Sequence, residues 1–234
     1  MKTRQPLSRR DFFKTSGGTL SLFATATCVP SAMAGAIEGG PERATRNPAQ
    51  LRRLLDEMDA RGYQFWSVPR KDGEFLHLLV KATRSRNVLE LGTSHGFSAI
   101  WMGLGLEETG GRLTTIEIEK DRHELARRHL TDAGLLQRVT LVKGDAHAEV
   151  ARLAGPFDFV FMDADKEGQI DYFNKLYPKK LLPGGILAAH NAIRQASSMK
   201  DYLDMIRRHP DFDTVIVSAT MDDGFCLSYR HRAS

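Results

Sequence analysis

The sequence predicts an α/β protein: a doubly wound sheet of seven strands, mostly parallel with an antiparallel last strand, and helices on both faces. Three observations lead there. From Asn87 onward short apolar runs alternate with helical patterns, the signature of a parallel sheet covered by helices. The first run, Val88 to Leu91, passes through Gly92 and Gly96 directly into the helical pattern opened by Ser98, Ala99 and Ile100, a strand–turn–helix unit. Near the end, Asp223-Gly224 is a turn signal between the last two runs and joins them as an antiparallel hairpin. Strands are expected near 87–91, 113–118, 138–142, 157–162, 185–189, 212–218 and 224–230.

The elements before the sheet divide into three parts. Ser8-Arg9-Arg10-Asp11-Phe12-Phe13-Lys14 resembles a twin-arginine export signal; Thr15 to Val29 is weakly apolar, and Ala32-Met33-Ala34 is a small-x-small cleavage pattern. The apolar stretch is too short and too broken by Gly and Thr to stay in a bilayer, so residues 1–34 are read as a signal handed to the twin-arginine machinery, with a periplasmic destination and no stable membrane insertion. A lipid anchor on Cys28 is disfavoured, because Thr25 stands where such signals carry Leu. Residues 35–46 form a linker. From Asn47 the chain is expected to fold as one domain, long enough to bury a full core. Asn47 caps a first helix with Pro48 in its first turn and Leu51, Leu54, Leu55 and Met58 on one face, and Gly62 stops it. A second helix, Gly73 to Ser85, is expected to turn Phe75, Leu78, Leu79 and Ala82 inward.

Charge follows the same division. The full chain has 33 basic and 29 acidic residues; setting aside the signal removes five basic residues and one acidic, leaving 28 of each. The basic pI therefore belongs to the signal, and the domain carries no electrostatic footprint for nucleic acid. Of Cys28 and Cys226 only the second lies in the domain, so no intrachain disulfide is expected despite an oxidising compartment.

The turn after the first strand marks the binding edge of such a sheet, where glycines let a ligand approach the backbone and a helix start offers free N–H groups. Its spacing is G-x-x-x-G rather than G-x-G-x-x-G, which argues against a nicotinamide dinucleotide, as does Glu90 at the strand end. A carboxylate there suits a positive amino group, and Ser98 can hydrogen-bond the same ligand's carboxylate. Glu117 closes the second strand twenty-five residues past Gly92, where nucleotide-binding sheets place the acid that takes ribose hydroxyls. The ligand that meets these demands is a nucleoside bearing an amino acid. At the fourth strand's end, Asp163-Ala164-Asp165-Lys166 puts two carboxylates and an amine at the same edge, a metal-plus-base arrangement.

Together, V-L-E-L-G-T-S-H-G-F-S, T-T-I-E-I-E, G-D-A, F-M-D-A-D-K and P-G-G-I-L-A-A-H-N, in that order, resemble the metal-dependent O-methyltransferases of the catechol and caffeoyl-coenzyme A type, from about Asn47 to Arg230. The resemblance implies a Rossmann-like fold, S-adenosylmethionine as donor, and a homodimer. It implies that Glu90, Gly92, Ser94, Gly96, Ser98 and Glu117 hold or shape the donor site, with Asp145 and Ala146 on the adenine and Asp163 also touching the donor. Asp163 is implied as a metal ligand and Lys166 as the general base, and the front segment, with Val68 and Lys71 as candidates, as the cover of the donor and mouth of the acceptor site. The sequence departs from the family at Ala189-His190-Asn191, where the common pattern is Asp-Asn: His190 takes the Asp position. Asp163, His190 and Asn191 then form a metal set suited to a softer divalent ion than magnesium, or the metal is gone and His190 acts as an acid or base or only packs. His95, in the donor loop, is open to a donor contact or to plain solvent exposure.

Two functions follow from these residues. The first is an S-adenosylmethionine-dependent O-methyltransferase acting on a small, catechol-like acceptor with adjacent hydroxyls. The second, prompted by export away from the cytosolic donor supply, is an exported binding protein that keeps the nucleoside pocket without turnover.

Overall fold

The computed structural model describes residues 46–218 and 222–232. The expected signal, residues 1–34, and residues 35–45 of the expected linker lie outside them; Arg46 pairs with Glu107 at 2.7 Å. Seven strands form one sheet: β1 (Asn87–Leu91), β2 (Arg112–Glu117), β3 (Val139–Lys143), β4 (Phe157–Met162), β5 (Leu181–His190), β6 (Phe212–Val217) and β7 (Phe225–Arg230). The helices are α1 (Pro48–Ala60), α2 (Arg70–Ala82), α3 (Phe97–Thr109), α4 (Lys120–Asp132), α5 (Ala146–Arg152), α6 (Gln169–Leu176) and α7 (Lys200–Ile206), with a 3-10 turn at Gly62–Phe65 between α1 and α2. No helix of the described residues is long and apolar enough to cross a membrane.

The strand order is β3-β2-β1-β4-β5-β7-β6. The first five strands pair in parallel, and β7 runs antiparallel between β5 and β6. The reversal of order lies between β1 and β4, so the loops after these two strands open into one crevice. Strand alternation divides the core. Val88, Phe159, Phe161 and Ala188 face the layer built by α1 to α4, whereas Leu89, Leu91, Val160, Met162 and Ala189 face α5 to α7. By the same alternation Glu90 and His190 point into the first layer, and both are buried there.

Asn47 caps α1, its Oδ1 accepting from the Ala49 amide at 2.9 Å, and Leu55 and Met58 are buried as expected. α2 departs from expectation in start and face. It begins at Arg70, directly after Pro69, and its buried stripe is Asp72, Gly73, Leu76 and Val80. Leu78 is 59% exposed and Ala82 is exposed, while Phe75 and Leu79 flank the stripe half-buried. The cause is a close helix pair: at Gly73 a Cβ would lie 2.2 Å from Trp101 Cδ1 on α3, so the glycine face rather than the leucine face meets α3. Lys71 is consequently turned outward, with Glu74 and Leu78, away from the binding edge. β5 starts four residues before the expected strand, because Leu181 pairs with Phe157 across an irregularity in the ladder.

Gly73→Ala forces α2 away from Trp101. It is expected to cost about 1–3 kcal/mol, the usual result of overpacking, seen as a lower urea midpoint at unchanged m-value.

Candidate active site

The crevice between the β1 and β4 ends holds two cavities that share a wall. The first, about 340 Å³, is lined by the β1–α3 loop, the β2 end, the turn before α5 and the β4 end. The second, about 800 Å³, lies beyond the β4 and β5 ends. Trp66, Ser67, Asp163, Ala164 and Asp165 belong to both.

The loop of the first cavity is set by backbone constraints. Gly92 sits at φ +94°, and a Cβ there would lie 2.9 Å from the Asp163 carbonyl oxygen, so only glycine lets the β1 turn rest on the β4 end. Gly96 also has positive φ and caps α3, but its close neighbour is Ala126 on α4; it shapes the loop and is not a wall of the cavity. Ser94 donates its amide to Glu117 Oε2 at 2.6 Å, and the Glu119 amide donates to Oε1 at 2.9 Å. Glu117 thus braces the loop while lining the cavity, and each of its oxygens has a further lone pair for a ligand hydroxyl. Asp145 caps α5, accepting from the His147 amide at 3.0 Å, and with Ala146 lines the cavity.

Glu90 stands one side chain behind this wall. Ser98 Oγ and Thr115 Oγ1 donate to its two oxygens, each at 2.5 Å, and Ser98, not Glu90, faces the cavity. Burial raises the Glu90 carboxyl from 4.5 to about 7, against the two hydroxyls that favour its charge. His95 is neither a donor contact nor exposed. It is 1% exposed, packs edge-on against Phe65 at 4.6 Å, and its carbonyl accepts from His129, because the turn points its ring at α4 and the 3-10 segment. Burial, then His129, lowers His95 to about 4, so it is neutral at pH 7.

In the second cavity Asp163, Lys166, His190 and Asn191 converge. Lys166 Nζ lies 2.7 Å and His190 Nδ1 3.2 Å from Asp163 Oδ1. His190 Nε2 lies 2.9 Å from Asp72 Oδ2 on α2. Burial opposes charge on both Asp163 and His190, yet their proximity overrides it. With Lys166 and His190 beside it, the Asp163 carboxyl falls to about 2; between Asp163 and Asp72, His190 rises to about 9. Asp165, the second carboxylate of the Asp-Ala-Asp-Lys run, turns away to accept from Tyr172 and to pair with His147 at 3.3 Å.

Asn191 adopts a left-handed backbone at φ 62°, and its amide nitrogen donates to Asp223 at 3.1 Å. Asn191, Asp163 and His190 all line the second cavity, and oxygen and imidazole nitrogen donors are of the kind that take a divalent ion. Val68 lines the first cavity, and Arg194, Gln195 and Ser198 the second. Asp72, Tyr172 and Trp66 carry no motif in the sequence, and Thr115, inside T-T-I-E-I-E, has no role there; Tyr172 lies on an amphipathic helix face and reads as core.

A switch-point crevice with a loop for an anionic or sugar-bearing ligand, opening beside a lysine–aspartate pair, defines a group-transfer enzyme. Residues 42–223 match the O-methyltransferase family, and the chain belongs to it. It is 35% identical to a catechol O-methyltransferase of Mycobacterium tuberculosis over 69% of this chain and 80% of that protein. It is 36% identical to a catechol O-methyltransferase of Niastella koreensis over 58% of this chain and 62% of that one. Among solved structures, the Bacillus cereus O-methyltransferase in complex with SAH superposes with a TM-score of 0.70 at 27% identity, covering 80% of this chain and 92% of that one. TomG of Streptomyces achromogenes, in complex with SAM, gives 0.67 at 27%, covering 76% and 89%.

The unfolded chain releases the Glu90 proton near pH 4.5, whereas the folded protein keeps it to about pH 7. The stability linked to this group is therefore full below pH 4.5 and lost as pH rises through 7, roughly 3 kcal/mol in all. Glu90→Gln is expected to remove that loss, flattening the melting temperature between pH 5 and 8 relative to wild type in calorimetric scans without ligand.

Proposed function

We propose that this O-methyltransferase moves the methyl group of S-adenosylmethionine onto one hydroxyl of a small acceptor with adjacent, catechol-like hydroxyls. The observation that carries the reading is the shared wall at Asp163, which puts the cavity lined by Glu117 and Asp145 in contact with a lysine-bearing cavity. The SAH and SAM complexes of the Bacillus and Streptomyces proteins and the catechol O-methyltransferase relatives support donor and acceptor class.

In this reading Glu117 takes the ribose hydroxyls, Asp145 and Ala146 flank the adenine beside Tyr172, and Ser98 bonds the donor's carboxylate. Glu90, behind Ser98 and Thr115, keeps its proton to about pH 7 in the free protein and gains negative charge as the donor's ammonium approaches. Lys166 Nζ, after giving one proton to solvent, accepts the proton of the attacking hydroxyl, so that the oxyanion meets the sulfonium methyl in line. Asp163, His190 and Asn191 would hold a divalent ion of a softer kind than magnesium; when bound, it lowers the pKa of a phenol from about 10 towards neutrality. Trp66, 81% exposed at the shared wall, and Tyr63, 97% exposed at the second cavity, offer flat apolar surface to an aromatic acceptor. Export by the twin-arginine route to the periplasm, folded before transport, and a homodimer complete the proposal.

The test is a steady-state assay of the full chain with S-adenosylmethionine and catechol, read as the methyl ether by mass spectrometry. Lys166→Met is expected to lower kcat by about 10²–10⁴-fold, the yield of a positioned base, with SAH affinity held. Saturable donor binding without product returns the chain to the binding-protein alternative, and absence of any donor binding by calorimetry sinks both.

A further inference from the structure

Asp72 is a buried carboxylate with no place in the family's motif. It lies on α2, 118 residues from His190 in the chain, yet its Oδ2 is 2.9 Å from His190 Nε2. It is fully buried and lines neither cavity. The other ring nitrogen of His190, Nδ1, faces Asp163 Oδ1 at 3.2 Å on the acceptor side. Two ligands bound to one divalent ion by bonds of about 2.1 Å at right angles stand about 3 Å apart, so the Nδ1 and Asp163 atoms already have the separation of neighbouring ligands.

We infer that Asp72 is the positioning residue that makes His190 a metal ligand: its Oδ2 accepts the Nε2 proton and so holds the ring with Nδ1 toward Asp163, the Nδ1 proton that the ion-free protein gives to Asp163 being released to solvent when an ion takes its place. The inference rests on the metal set proposed above. A ligating histidine characteristically donates its second N–H to a carboxylate, which fixes the ring and raises its basicity. Here the pairing also answers the departure at the fifth strand. Exchanging the common Asp for His190 removes one negative charge from the ion's ligands, and Asp72 restores it one side chain further out, through the ring. Gly73 makes this possible, since only a glycine beside Asp72 lets α2 close on Trp101 and bring the carboxylate into range.

A competing arrangement uses the same residues differently. Asp72, His190 and Asp223 each offer one ligand atom, all within 4.8 Å of one another, so Asp72 could itself bind an ion with Asp223. Such an ion would involve a carboxylate absent from the acceptor cavity, whereas the Asp163 side opens directly into it.

Full-chain wild type, Asp72→Ala, Asp72→Asn and Asp163→Ala are titrated calorimetrically with Mn²⁺ and with Zn²⁺, and separately with SAH. Wild type is expected to bind one equivalent of ion and Asp163→Ala none. Asp72→Ala should bind about 10–100-fold more weakly, with SAH affinity within about twofold of wild type as the check on folding. Asp72→Asn should recover part of the affinity, because its amide oxygen still accepts the Nε2 proton but carries no negative charge. The inference is overturned if Asp72→Ala binds either ion as wild type does. It is equally overturned if both Asp72 variants lose the ion while Asp163→Ala keeps it, which assigns Asp72 as a ligand beside Asp223. Wild type that binds neither ion overturns it too, but methyl transfer in the presence of a chelator would then leave the methyltransferase reading standing.

Discussion

The contact on which the rest depends is that of the β1 turn with the β4 end. Gly92 can rest on the Asp163 backbone only because it has no side chain. That seating brings the loop that shapes the first cavity against the residue whose carboxylate borders the second. The two cavities are thereby joined along one short segment, Asp163 to Asp165, and the topology of the sheet delivers it: β1 and β4 are neighbours at the point where strand order reverses.

Electrostatics at this segment alternate in sign along a chain of four side chains, Asp72, His190, Asp163 and Lys166. Each group is buried or nearly so, and each charge is matched by the next. This is the condition under which ionised groups persist in an apolar layer. Glu90 lies in the same layer without a cation of its own, and its carboxyl rises where that of Asp163 falls. Two buried acids at neighbouring strand ends are thus shifted in opposite directions: burial and nearby carboxylates raise Glu90, whereas Lys166 and His190 override burial at Asp163.

The sheet was legible because its signals are local. Period-two burial in β1 and β4, glycine turns at Gly92 and Gly96, and the Asp223-Gly224 hairpin all sit within a few residues of the feature they specify. The places of Glu117, Asp145, Asp163, Lys166, His190 and Asn191 were legible for the same reason, since each closes or follows a strand. Misreadings arose where long-range packing decides. The inward face of α2 was assigned from leucines, but a glycine against Trp101 rotates the helix toward Asp72. His95 was read from its position in a loop, although α4 and Phe65 enclose it. Asp72 was invisible, because nothing in its neighbourhood announces a partner on β5.

Glu117 has one more implication. The carboxylate assigned to the sugar also ties down the amides of Ser94 and Glu119. The loop is therefore held in shape before any nucleoside arrives, and little conformational freedom remains to be lost on docking. An exchange at Glu117 therefore removes two backbone amide contacts along with any bond that its carboxylate makes to a ligand.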